Sequence, residues 1–521
     1  MFFLTTAIDY TNGAPHIGHA YEKVLADVIA RYRRLRGDEV YFLTGVDQHG
    51  QKVQQTAEKE GVHPATFVKR TTKKFLNLWE KLGVHYDGWA ETTDERHKRC
   101  VQRILTDLKD KGELYKKAHR GHYSVRQEQF LGDRDRNEQG EFGPEWGEVV
   151  EIEEENWYFR LSAHAEWLAS YAEKTPGFVV PAFRKSEVVN ALDRSPGTDL
   201  CISRPKERLR WGIELPFDPD YVTYVWFDAL INYISFAGYL AGPDDKLPDF
   251  DKLWPCAAHI IGKDILVPAH GIYWMCMLHA MGFADDQMPS LLVHGWWNIR
   301  GEKMSKSLGN VVDPDELADR FGADALRYYL VRDITTGKDS DFDPDRLVML
   351  YNTELANELG NLCNRALNMS QRFTGGVLSL GGPLTADDEA LQASLAESTA
   401  AYRAAMDEFD ISKGLEAISR HVVHCNGYAE RMKPWELNKD ESQKDRLQTV
   451  LYHLAESVAH CAVLLSPVLP DAAAKLAQQL KAEHLLSLKL DDLKWGLLPD
   501  QHEIGKPKPV FPRIQPTEEP A

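Results

Sequence analysis

The sequence predicts an α/β protein: a doubly wound parallel sheet, split by an insertion and followed by an all-helical half. Three observations predict it. Apolar runs alternate with helical patterns at the N-terminus and again after residue 224, with turn formers at the carboxyl ends of the runs. Between these stretches, residues 118–223 lose helical periodicity and fill with Gly, Pro, Trp and short charged runs. From about Leu350 to Leu490 the pattern is helical nearly throughout.

Each element has a local reason. "MFFLTTAI" reads as a buried strand, and the loop from Asp9 to Pro15 carries the turn formers Asn12-Gly13 and Pro15. Ile17, Ala20, Tyr21, Val24, Leu25, Val28, Ile29 and Tyr32 then recur at helical spacing. Arg31, Arg33, Arg34 and Arg36 crowd the last turns, where a helix favours cations, and Gly37 ends it. "DEVYFLTGVDQHG" is a second strand and loop; a helix from about Gln51 to Glu60 follows and stops at Gly61. In the insertion, "EVVEIEEEN" holds Glu148, Glu151, Glu153, Glu154 and Glu155 with no base among them, which predicts a solvated acidic face. "YVTYVWFDALINYISFAGYL" and "AAHIIGKDILVPAHGIYWMCMLHAMG" each read as strand into helix, and "SLLVHGWWNI" as a further strand. Asp313 caps a helix with Pro314 in its first turn and Glu316 three residues after the cap. The last stretch, "DQHEIGKPKPVFPRIQPTEEPA", is a Pro-rich tail, expected to be packed in part. The expected divisions are 1–117 and 224–298 for the two halves of the sheet and 118–223 for the insertion. A loop region at 299–349, a helical domain at 350–500 and a tail at 501–521 complete them.

Composition bounds the function. A chain of 521 residues predicts two to four domains, and 43% hydrophobic content is ordinary for a globular protein. No run of about 18 uncharged apolar residues appears, and no signal-peptide pattern opens the chain, so no membrane partner and a cytoplasmic location are expected. Seven cysteines with no CxxC pair argue against a disulfide framework and a cysteine zinc site. The formal charge of −18 means that any RNA contact must use local basic patches.

Two short motifs carry the chemistry. In open parallel sheets, ligands lie beyond the carboxyl ends of the strands. "DYTNGAPHIGH" lies there and leads into a helix amino end that attracts anions. His16 and His19 supply donors for phosphate oxygens, and Gly18 leaves room for close approach. A capping pair or a two-histidine metal site is the alternative, although no third metal ligand is evident nearby. Far away, "NIRGEKMSKSLGN" puts Lys303 and Lys306 on a loop with two serines and two glycines. Such lysines can swing onto a polyphosphate and stabilise charge on a leaving group. By itself the string reads as a solvated basic loop; beside the first motif it points to nucleotide chemistry.

"HIGH" at 16–19 and "KMSKS" at 303–307 match the two signatures of class I aminoacyl-tRNA synthetases. In detail the chain resembles the methionyl-tRNA synthetase family from Phe2 to Ile514, through "AIDYTNGAPHIGH", "GVDQHG", "YVWFDAL", "IIGKDI", "HGWWNIRGEKMSKSLGN", "ELGNLCNR" and "PVFPRI". The resemblance implies a split Rossmann-type catalytic domain with a connective insertion, followed by a helical-bundle anticodon-binding domain. It implies ATP-dependent attachment of L-methionine to tRNA(Met), initiator tRNA included, through methionyl-adenylate. AMP and pyrophosphate are released, and Mg²⁺ travels with ATP. His16, Gly18, His19, Lys303 and Lys306 are the implied catalytic and ATP-binding residues.

Carried over position by position, the methionine pocket comprises Ile8, Tyr10, Asp47, Trp226, Ala229, Leu230, Tyr233 and His270. Asp47 matches the acid that pairs with the substrate ammonium. By spacing alone, 226, 229, 230 and 233 read as plain helix packing. His270 departs from the pattern, because the family often places this histidine one residue closer to "GKDI". An apolar pocket separates near-isosteres by only about 1–3 kcal/mol per methylene. No separate editing domain is expected, the insertion being shorter than that of the isoleucine, valine and leucine enzymes. Where relatives carry a zinc knuckle, this chain has Ser124, Gln127, Gly143 and Trp146, so no structural zinc is expected. Asn361, Arg365 and Trp435 match the family's anticodon readers; by spacing alone, the Asn–Arg pair is a solvated helix face. A monomer is expected. The competing readings are a synthetase for another amino acid, a nucleotidyltransferase that never meets RNA, and an RNA-binding relative without catalysis.

Overall fold

The computed structural model describes residues 1–125, 129–132, 135–137, 139–194, 198–299, 301–303 and 312–515. Strand Phe2–Thr6 lies at the centre of a parallel sheet, between Val40–Asp47 on one side and Ala258–Gly262 on the other. Gly88–Glu91 pairs with the outer edge of Val40–Asp47, while Leu291–His294 and then Val179–Val180 extend the other side. The strand order therefore reverses direction between Phe2–Thr6 and Ala258–Gly262. At such a switch point the loops beyond the strand ends diverge and open a crevice.

Helix Ile17–Arg36 crosses behind this sheet, with 14 of its residues buried, and ends at Gly37 in the left-handed region (φ 96°) with the expected basic last turn. A further helix not marked by the main motifs, Pro64–Lys81, buries Phe75, Leu78 and Trp79 beneath it. The insertion is largely antiparallel: Leu114–Ser124 pairs with Val149–Phe159 along its whole length. Its strand Val179–Val180 returns to join the parallel sheet. The acidic stretch is exposed at Glu148, Glu151, Glu153 and Glu155, as expected, and bases pair with part of it. Arg120 pairs with Glu151 at 3.0 Å, Lys116 with Glu155 at 3.3 Å and Arg208 with Glu154 at 2.9 Å. These bases come from other strands and loops, so no local scan of the segment could find them.

The helical half begins as expected at Pro314–Phe321, where the Asp313 side chain accepts from Asp315 N–H at 2.8 Å. The helix breaks at Gly322 and resumes as Ala323–Arg332. Tyr351, Leu355, Leu359, Leu362 and Ala366, the expected stripe, are all buried. Helices Ala386–Asp407, Ile411–Met432 and Lys444–Leu465 complete the bundle. No helix among the described residues is long and apolar enough to cross a membrane.

Candidate active site

The first motif is a helix cap built from imidazoles. His16 Nδ1 accepts from Gly18 N–H at 3.1 Å, and His19 Nδ1 accepts from His16 N–H at 3.1 Å. This is the reciprocal geometry of a capping box, with histidines in both roles. A ring nitrogen that accepts carries no proton, so each neutral imidazole holds its proton on Nε2. The two rings lie with centroids 3.9 Å apart, and His19 meets Phe75 edge-on at 5.5 Å. Gly18 follows from the same contact: a Cβ there would sit 2.9 Å from His16 Cε1. Capping and phosphate donation are thus compatible, because the cap uses Nδ1 and leaves the proton on Nε2.

The described chain flanking the second motif is tied close to the first. Strand Glu302–Lys303 pairs with Trp297–Ile299, setting Lys303 opposite Asn298. Beyond residues 304–311, the Val312 carbonyl accepts from Ile17 N–H at 3.2 Å, within the opening turn of the signature helix. Lys306 lies outside the described residues.

Two adjoining chambers occupy the crevice. One, of about 340 Å³, is lined by His16, Gly18, His19, Glu22, His294 and Trp297. The other, of about 380 Å³, is lined by Tyr10, Asp47, Trp226, Ala229, Leu230, Tyr233 and His270. Ile8, Tyr10, Asp264 and Ile265 border both. All eight residues expected for an amino-acid pocket therefore surround one chamber. His270 reaches it although its spacing differs, because the turn is irregular at Val267 (φ −119°, ψ 125°) and the wide-turn segment Leu266–Trp274 absorbs the extra residue. Lys52, Tyr224 and Asp264 also line the chamber and were missed. Asp264 had a signal, since it follows strand Ala258–Gly262 at the carboxyl end where ligands bind.

Electrostatics distinguish the two chambers. Beneath the first, fully buried Lys23 bonds Asp9 at 2.8 Å, Glu22 at 2.8 Å and the Ala7 carbonyl at 2.9 Å, while His294 Nε2 meets Glu22 at 3.1 Å. Burial raises the Asp9 carboxyl to about 7 despite Lys23. For Glu22, burial is outweighed by Lys23 and His294, which hold its pKa below the ordinary value. In the second chamber, burial lowers His270 to about 4, so the ring is neutral at pH 7. His270 Nδ1–H donates to the Ile265 carbonyl at 2.9 Å, which leaves Nε2 to accept from the Tyr233 hydroxyl at 2.7 Å. The hydroxyl proton is thereby used within the wall. Tyr233→Phe strands a buried acceptor and should cost about 1–3 kcal/mol in urea unfolding; an unchanged midpoint would mean that this bond contributes nothing.

Asp47 sits at the end of strand Val40–Asp47, and its backbone carbonyl accepts from Thr11 N–H and Oγ1–H, both at 2.9 Å. The loop after it is held from two sides. His49 Nδ1 bonds Asp228 at 2.6 Å, and Asp228 also takes His97 Nε2 at 2.8 Å. Burial alone would raise the Asp228 carboxyl, but the two imidazoles bring it to about 2. From the insertion, Trp211 Nε1–H donates to the Gln48 carbonyl at 2.6 Å, and Gly50 N–H donates to the Trp211 carbonyl at 3.2 Å. No sequence pattern pointed to Trp211.

The remaining expected positions lie elsewhere. Asn361 and Arg365 share one face of helix Gly360–Thr374, and Arg365 pairs with Glu430 at 2.7 Å. Trp435 is half-buried on the short helix Pro434–Leu437, just beyond Lys433, whose backbone is left-handed (φ 46°). In the insertion, Ser124 Oγ–H donates to the Trp146 carbonyl at 2.5 Å and Trp146 Nε1–H to the Asp135 carbonyl at 2.9 Å. Gly143 precedes the helical turn Pro144–Trp146, and Gln127 lies outside the described residues. Among the described residues no group of three or more His, Cys, Asp or Glu could hold a metal ion.

Comparison with known proteins agrees with this geometry. The family model for class I tRNA synthetases (M) matches residues 2–140 and 146–367, and that for the anticodon-binding domain of methionyl tRNA ligase matches 378–520. The methionine--tRNA ligase of Fusobacterium nucleatum is 38% identical over 520 residues, spanning 99% of this chain and 80% of its own. That of Rhizobium meliloti is 39% identical over 521 residues and covers 98% of each chain. A Mycobacterium tuberculosis methionyl-tRNA synthetase structure bound by methionyl-adenylate superposes with a TM-score of 0.90 at 35% identity, covering 98% of this chain and 100% of that one. The free form of that enzyme gives 0.84 at 33% identity, covering 99% and 98%. With family models matching most of the chain and relatives matching along nearly its whole length, this chain belongs to the methionine--tRNA ligase family of class I tRNA synthetases.

Proposed function

We infer that this chain attaches methionine to tRNA at the expense of ATP, through methionyl-adenylate. The observation that supports the reading is that the chain on either side of residues 304–311 is tied to Trp297–Ile299 and to Ile17, beside the histidine-capped helix. A methionine carboxylate oxygen attacks the α-phosphorus, and the bond to the bridging oxygen breaks, so that pyrophosphate leaves with the electron pair. A ribose hydroxyl of the tRNA's terminal adenosine then attacks the methionyl carbonyl, and AMP leaves. Neither step needs a protein nucleophile; alignment and charge stabilisation supply the rate. In this reading His16 and His19 donate Nε2–H to phosphate oxygens at the helix amino end, and Lys303 and Lys306 neutralise charge building on pyrophosphate. Mg²⁺ enters as part of the nucleotide substrate. Asp47 takes the methionine ammonium, while Trp226, Ala229, Leu230 and the Tyr233–His270 pair wall the thioether. Asn361, Arg365 and Trp435 meet the unpaired anticodon bases of tRNA(Met), initiator included. The enzyme works as a cytoplasmic monomer without structural zinc.

Amino-acid-dependent pyrophosphate exchange across the twenty amino acids tests the reading: methionine should drive exchange, and exchange driven by leucine or valine instead would overturn the pocket assignment. Asp47→Asn removes the charge partner of a desolvated ammonium. It should raise the KM for methionine at least about 30-fold while leaving that for ATP within about twofold. An equal rise in both KM values would mark Asp47 as a structural residue.

A further inference from the structure

The two walls of the second chamber come from distant parts of the chain. Asp47 ends strand Val40–Asp47, whereas Trp226, Ala229, Leu230 and Tyr233 face the chamber from helix Val225–Ser235. At 3.6 residues per turn those four share one face of the helix, and Asp228 and Ser235, seven residues apart, lie on the opposite face. From that far face a run of polar groups leads back to the Asp47 loop. Asp228 Oδ2 meets His49 Nδ1 at 2.6 Å, and Asp228 Oδ1 meets His97 Nε2 at 2.8 Å. His97 Nδ1 meets Ser235 Oγ at 2.7 Å, and its ring stacks on Phe236 with centroids 5.8 Å apart. Asp228, His49, His97 and Ser235 are all buried, and none of them lines either chamber.

This run is directional. The Asp228 carboxylate, ionised at pH 7, only accepts, so both imidazoles donate to it. Each of its oxygens takes one ring, and turning either ring away would leave a buried charge short of a donor. His49 in turn touches the acid that faces the chamber. Its backbone N–H donates to Asp47 Oδ1 at 3.3 Å, and the Thr92 hydroxyl donates to the same oxygen at 3.4 Å, so these two donors set which way the carboxylate faces. Gln48 N–H fixes Thr92 by donating to its hydroxyl oxygen at 2.9 Å. Apolar side chains would fill the space behind the helix without the cost of desolvating a charge. A carboxylate gripped at both oxygens adds a fixed distance and orientation between helix and loop.

We propose that Asp228 is a positioning residue for methionine: through His49 it holds the Asp47 loop in register with the wall helix, so that ammonium and thioether engage together, and His97 holds Asp228 in place for that role. The proposal rests on the assignment of Asp47 and the wall helix to methionine above and extends it to three residues outside the chamber. The test uses the full chain and measures inhibition of methionine-dependent pyrophosphate exchange by two probes. One is methioninol, which carries the ammonium and the thioether; the other is the same alcohol with hydrogen in place of the amino group. Asp228→Ala should weaken methioninol about tenfold, roughly the worth of one good hydrogen bond, and leave the amine-free alcohol and the KM for ATP within about twofold. Asp228→Asn should stay within about threefold of the parent for methioninol, because a carboxamide still accepts from His97 and donates to the other tautomer of His49. An equal loss on both probes, or none on methioninol, overturns the proposal. So does a loss in Asp228→Asn as large as in Asp228→Ala, which would assign the effect to charge rather than to the bridge. His49→Phe/Asp228→Leu strands no charge and should lose methioninol selectively too, so it decides the matter if Asp228→Ala unfolds. Asp47→Asn is measured alongside; if it leaves methioninol unaffected, the assignment of Asp47 to the ammonium falls, rather than the bridge.

Discussion

Replacing His19 by alanine is expected to slow methionyl-adenylate formation by about 10²- to 10³-fold, the usual cost of one preorganised donor to a developing oxyanion. The same substitution removes the acceptor for His16 N–H, a cap worth about 1 kcal/mol, so the fold should survive. Pyrophosphate exchange and thermal unfolding read the two effects separately. His19→Asn retains both an acceptor for the cap and an N–H donor, and should recover the unfolding midpoint fully and the rate in part. The His16 and His19 imidazoles are in contact, with centroids 3.9 Å apart, so the double alanine variant should lose less than the product of the single losses. Lys306→Ala should bring a similar loss of rate without touching the cap. A His19→Ala rate within about threefold of the parent would leave the imidazole a capping group only.

Replacing Arg327 by methionine is expected to lower the unfolding free energy by about 3 kcal/mol, because it strands a buried carboxylate. Arg327 and Asp27 are both fully buried, and they pair at 2.7 Å. The same guanidinium donates to the carbonyls of Val468 at 2.9 Å, Pro467 at 2.9 Å and Leu82 at 3.2 Å. One side chain therefore ties the signature helix, the loop after helix Pro64–Lys81 and the end of helix Lys444–Leu465. Asp27 keeps two other partners, Arg31 Nε at 2.8 Å and His85 N–H at 2.9 Å, which places the cost at the lower end of the range for broken buried pairs. Urea unfolding measures the loss. Arg327→Met/Asp27→Leu should recover much of it, since an apolar pair leaves no unpartnered charge. A single variant within about 0.5 kcal/mol of the parent would show that the three carbonyls and Asp27 find other donors.

Local physical chemistry was readable from the chain. The signature helix starts at His16 and ends at Gly37 because capping and left-handed backbone depend on a few adjacent residues. The stripe from Tyr351 to Ala366 is buried because helical spacing sets the face. The eight residues that line the second chamber were expected from family resemblance; for Trp226, Ala229, Leu230 and Tyr233 the spacing alone favoured a packed helix.

The acidic stretch in the insertion is largely exposed, as expected, but its partners Lys116, Arg120 and Arg208 arrive from other strands and loops, beyond local reading. Trp211 behaves the same way, reaching back to Gln48 and Gly50 from the insertion. The C-terminal stretch, expected as a tail packed only in part, becomes the wall of a groove only when it lies against a helix about 150 residues earlier in the chain. Element order, caps and, by resemblance, the family were legible in the linear chain. Only the tertiary structure decided which distant groups meet: Ile17 with Val312, Asp228 with His49 and His97, and Arg327 with Asp27. Periodicity and capping act over a few residues, whereas these contacts form only after the whole chain has closed its core, and nothing in the linear order specifies them.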